Sequence, residues 1–68
     1  MNLVIYVVKR SLGDDHVAIR SYEGMKNYLI PKNIVFSLEK NEGELVSEFV
    51  ERVRQKALEE GIKKVDRL

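Results

Sequence analysis

Few side chains in this chain have types and spacings that could do chemistry. Asp14, Asp15 and His16 form the main cluster able to bind a metal. Three adjacent loop residues can donate to a cation, but a stable site wants about four to six ligands in fixed geometry. A polar turn after Gly13, with a histidine opening the next strand, accounts for the same residues. Nucleophilic catalysis is poorly supplied. Ser11, Ser21, Ser37 and Ser47 are present, but His16 is the sole imidazole base and no serine sits in a nucleophile-elbow pattern. Glu44, Glu48 and Glu51 form a carboxylate row on the solvent side of an expected helix, where such groups are simply hydrated. The four glycines are scattered, so none builds a phosphate-cradling loop. The reading is that this is not an enzyme, with no catalytic residue, no metal site and no cofactor.

Binding surfaces are better supplied. Lys9, Arg10, Arg20, Lys26 and Lys32 fall in strands and turns, interleaved with Tyr6, Tyr22 and Tyr28. Tyrosines and cations on a sheet can stack bases and contact phosphates, so a small nucleic-acid-binding domain is the alternative reading. Against it stands a formal net charge of only +1, a thin footprint for a polyanion.

The preferred reading is a protein-interaction or oligomerisation module, and it follows from the elements. Leu3 to Val8 is a β-branched run, apolar on both faces, within a first strand over 2–9. A loop over 11–15 leads to a second strand over 16–22. Glu23-Gly24 reads as a hairpin turn and 25–30 as a third strand. Pro31-Lys32-Asn33 is a short connection in which asparagine tolerates the left-handed conformation. Ile34, Phe36 and Leu38 alternate with Val35 and Ser37 in a fourth strand.

The longest expected element is a helix from Asn41 to Gly61. Asn41 is the expected N-cap, and Glu44 is placed to reach back as in a capping box. Leu45, Val46, Phe49, Val50, Val53 and Ala57 recur at helical spacing on one face. Glu48 and Arg52 are spaced for an ion pair on the surface. Gly61 is the expected left-handed stop, with Ile62 folding back as the apolar cap and a frayed, dispensable tail after it. The rival places Leu58, Ile62 and Val65 in a second stripe, or the tail in a strand beside Leu3 to Val8.

These elements predict a single α+β domain spanning 1–68. It is a small antiparallel β-meander of three or four strands, followed by one long amphipathic C-terminal helix packed on one sheet face. Leu3, Ile5, Val7, Val17, Ile19, Leu29, Phe36 and Leu38 are expected toward the helix, closed by Phe49 and Val53. A single helix leaves the other face uncovered. Val4, Tyr6, Val8, Tyr22, Tyr28, Ile30 and Val35, with Ala18, are therefore the candidate interface. A simple meander also leaves the first strand at an edge, where so apolar a strand would pair with a second subunit or with the C-terminal segment.

A chain of 68 residues buries only about 60% of its unfolded surface and is marginal alone. With no cysteine there is no disulfide, and stability must come from packing, ion pairs or an oligomer. No segment is long and apolar enough for a membrane span, and no leader pattern is visible, so a cytoplasmic protein is expected. The expected partner is a second copy or another protein, with nucleic acid as the alternative and no membrane. Lys, Glu, Arg, Val and Ile are abundant and Gln55 is the single glutamine. That usage suits proteins adapted to high temperature. The stretch from Glu48 to Leu68, containing ERVRQKALEEGIKKVDRL, resembles in style and composition helices of small proteins of hyperthermophilic archaea. The resemblance implies no activity.

Overall fold

The computed structural model describes residues 2–10, 13, 15–22 and 31–66. The expected hairpin turn at Glu23-Gly24 and the strand over 25–30 lie outside the described residues. So do Asp14, Lys26, Tyr28, Leu29 and Ile30.

Strand β1 spans Leu3–Lys9, β2 His16–Tyr22 and β3 Ile34–Glu39; helix α1 spans Val46–Glu59, and a short strand β4 covers Val65–Asp66. The described strands form one sheet in the order β3-β1-β2-β4. β1 pairs antiparallel with both β2 and β3, while β4 runs parallel to β2. The fold is thus an α+β domain with, among the described residues, a mostly antiparallel sheet and one helix over one face. No helix among the described residues is long and apolar enough to cross a membrane.

Strand order departs from a simple meander, and β1 is central rather than at the edge. Its apolar character on both faces is satisfied within the chain, since Leu3, Ile5, Tyr6, Val7 and Val8 are all buried. The strand expected from another subunit or the C-terminal segment is β3. Opposed residues in an antiparallel pair share a face. Leu3, Ile5 and Val7 face the helix, and Val7 lies opposite both Ala18 and Phe36. Ala18 is therefore a core residue, whereas Val17 and Ile19 point to the far face. The expectation for β2 was one residue out of phase. The hairpin explains why: Arg10 donates to the Asp15 carbonyl at 3.2 Å and Lys9 pairs with His16, which fixes the register whatever the side-chain sizes.

Phe49, Val53 and Ala57 form the buried stripe of α1, completing a core with Leu3, Ile5, Val7, Ala18, Phe36 and Ile62. Leu45 and Val46, expected in that stripe, are 63% and 53% exposed. The helix begins later than its sequence suggests. Asn41 is not the N-cap; Leu45 is, with no side-chain capping bond. The reach-back bond does form, from the Asn41 N–H to Glu44 Oε1 at 3.0 Å, but in a separate turn. Gly43, at φ +80°, bends that turn into the left-handed region and keeps it out of the helix.

The other end follows the expected stop. Gly61 adopts φ +78°, the Ile62 N–H bonds the Ala57 carbonyl at 2.9 Å, and the Gly61 N–H bonds that of Leu58 at 3.0 Å. That pair of bonds is the Schellman motif, and buried Ile62 supplies its apolar contact. The tail is not frayed at 65–66. Val65 packs on the core and opposes His16, while Asp66 meets Arg10 at 3.1 Å. Because the helix ends beside the start of β2, the chain runs on along that strand in parallel.

Candidate functional site

Sheet order decides which predicted surface residues remain available. β3 is an outer strand among the described residues. The Lys40 N–H bonds the Leu3 carbonyl at 2.8 Å, with Val4 opposite Glu39. Hydrogen-bonded pairs alternate along an antiparallel ladder, so the backbone groups of Ser37 and Glu39 point away from β1. A shift in register between Val7 and Val8 leaves Val35 as the extra residue of a bulge. Ile34 and Val35 are both exposed. On the helix side of this edge, half-buried Leu38 lies at the foot of a shallow groove of about 750 Å³ beside Glu48, Arg52 and Gln55.

The candidate interface divides accordingly. Val4, Tyr6 and Val8 share the far face, but Tyr6 and Val8 are only 8% exposed and Val4 is half-buried. Val17 and Ile19, missed by the out-of-phase reading of β2, lie beside them and are also half-buried. Tyr22 opposes Leu3 and so stands on the helix side, where it is exposed. Of the predicted set, Val35 is substantially exposed on the outer strand β3. Ile34, its exposed neighbour, had been assigned only to strand alternation.

The predicted cations separate too. Lys9, Arg10 and Lys32 fall at one end of the sheet, since Lys9 bonds the Asn33 carbonyl through its N–H at 3.2 Å. Arg20 sits mid-sheet opposite Ile5. The structure brings Lys63 and Lys64 to the same end as Lys9, beside His16. Nothing in the linear spacing of residues 9 and 63 pointed to that neighbourhood.

The strongest polar assembly is structural. Arg52 was expected to pair with Glu48, but its Nε and Nη2 bond both oxygens of Glu44 at 2.7 and 2.9 Å. Nη2 also reaches the Glu39 carbonyl at 2.8 Å, and the guanidinium lies 5.3 Å from the Phe49 ring centroid. The fork of arginine suits such bidentate bonding and also stacks on an aromatic face. Arg52 first, then the Asn41 N–H, holds the Glu44 carboxyl below its usual range, and Glu44 raises the Arg52 guanidinium in return. This group fastens the turn over 41–44 to the helix. Nε and Nη2 of Arg52 and both carboxylate oxygens of Glu44 are engaged in this fastening.

No group of three metal-capable side chains occurs among the described residues, which include Asp15 and His16 of the loop cluster but not Asp14. Comparison with known proteins finds no matching family model, curated protein or solved structure.

Proposed function

We propose that this chain is a self-association module in which a second copy pairs along the outer side of β3. The observation that carries the reading is the character of that edge. Outer strands are usually blunted by charge, proline or cover. Here Ile34, Val35 and Ser37 stand exposed, with charge arriving only at Glu39. The outward backbone groups of Ser37 and Glu39 supply hydrogen bonds for an added strand, as in β-augmentation.

Edge-to-edge pairing about a two-fold axis at Ser37 is self-complementary, as an isologous interface requires. It sets Phe36 of one copy beside Leu38 of the other, extending the apolar row beneath the helix. Two further properties support it: a small core that is marginal alone, and a net charge near zero, which does little to keep copies apart.

Sedimentation equilibrium across a range of concentrations tests the reading. A dimer is expected for the parent chain. Val35→Lys, placing a charge on an already exposed edge position, is expected to give a folded monomer with an unchanged circular dichroism spectrum. A parent chain that stays monomeric up to about 1 mM, a weak association limit, overturns the proposal.

A further inference from the structure

A further cavity lies away from the β3 edge. It lies at the end of the molecule where the helix stops, on the β2 side of the sheet, with a volume of about 490 Å³. Its chemistry-bearing lining is Lys9, Asp15, His16, Lys63 and Lys64. The fold puts these residues together by three separate devices. Cross-strand pairing sets Lys9 beside His16 on the helix side of the sheet. The Schellman turn at Gly61 aims the chain back toward β2, so that Lys63 and Lys64 cross this end. Pairing of His16 with Val65 then holds that crossing in place.

We propose that this cavity binds a phosphate group. Among the described residues, three lysines and one carboxylate line it, in a chain whose total formal charge is only +1. Lys9 and Lys63 have no ion-pair partner among the described residues, and Lys64 has only a long contact of 3.8 Å to Asp15. Such ammonium groups are free to turn toward an anion. A metal cation is disfavoured by the same charges. The neighbouring helix end does not expel an anion as a bare C-terminus would. The carbonyls of Lys56, Ala57 and Leu58 are already bonded by the N–H groups of Glu60, Ile62 and Gly61. His16 lines the same cavity between Lys9 and the returning chain.

A phosphate could come from a small phosphorylated compound or from a nucleic-acid backbone, and calorimetric titration at low salt separates the two. Inorganic pyrophosphate and a single-stranded DNA decamer serve as probes. Pyrophosphate is expected to bind, with Lys9→Gln and Lys63→Gln each weakening it about tenfold, as loss of one charge-assisted contact does. Asp15→Asn removes the competing carboxylate and is expected to tighten binding severalfold, an effect that damage to the fold cannot mimic. Lys40→Gln, at the opposite end of the sheet, is expected to change nothing. A decamer binding more tightly than pyrophosphate with the same residue dependence assigns the phosphate to a nucleic acid. A decamer no tighter than pyrophosphate assigns it to a small compound. Absence of binding by both probes at about 10 mM overturns the proposal. Equal losses from Lys40→Gln and Lys63→Gln do so as well, because only diffuse charge would then be at work. None of these outcomes depends on the β3 edge, which lies across the sheet.

Discussion

The two ends of α1 are closed by opposite means. The C-terminal end is closed by backbone and core: Gly61 turns left-handed, two N–H groups cap the last carbonyls, and Ile62 is buried. The N-terminal end has no side-chain cap and begins with exposed Leu45 and Val46. It is held instead by Arg52, reaching back to Glu44 and to the Glu39 carbonyl. A helix end can thus be fixed by short-range conformation or by a pin from the next turns of the helix. The first survives changes of pH and salt, whereas the second rests on ionised groups.

The largest expected effect removes what both ends share. Phe49 is fully buried, and Phe49→Ala is expected to cost about 3–5 kcal/mol in denaturant unfolding. A cost below about 1 kcal/mol would mean that the helix does not close this core. Next comes the tail beyond the C-terminal cap. Removing residues 65–68 takes away Val65 from the core and Asp66 from Arg10, and is expected to cost about 1–3 kcal/mol. An unchanged midpoint would return the tail to the frayed state and confine the C-terminal closure to the Schellman turn.

Gly61→Ala tests that turn by itself. Nothing crowds a Cβ there, so the expected loss of about 1–2 kcal/mol comes from left-handed backbone strain alone. Gly61→Asn should recover part of it, because asparagine tolerates this conformation better.

The smallest effect is at the N-terminal pin and shows as a pH dependence. The Glu44 carboxyl is held below its ordinary value of 4.5 in the folded chain. A depressed carboxyl contributes stability that is present above its unfolded value and is lost as pH falls through the folded one. Parent and Glu44→Gln chains should therefore differ most above about pH 5 and converge toward pH 3. Urea midpoints at both pH values check this, and a constant difference would remove ionisation of Glu44 from the account. The Gly61→Ala loss should be the same at both pH values.

Much of the fold was legible in sequence because the relevant forces act over a few residues. β-branched runs mark β1 and β2 close to their observed limits, and Asn33 takes its left-handed conformation at φ +61°. Phe49, Val53 and Ala57 share a face at spacings of four, and a glycine after Glu60 stops the helix. The candidate surface was less legible. Val35 was named, but Tyr6 and Val8 prove buried, and Lys63 and Lys64 come beside Lys9 only because the chain returns along β2.

The sequence by itself determined the strands β1, β2 and β3, the presence of the helix with Phe49, Val53 and Ala57 on its buried face, and its stop at Gly61, since periodicity and local backbone preference suffice for these. Tertiary structure alone decided that β1 is central, that Ala18 rather than Val17 faces the helix, that Arg52 bonds Glu44 rather than Glu48, and that the tail joins the sheet. Each of these depends on which distant segment a strand or side chain meets. Alternation along one strand is the same whichever face is buried, and a guanidinium has equal local access to carboxylates on either side. Only the packed chain breaks those ties.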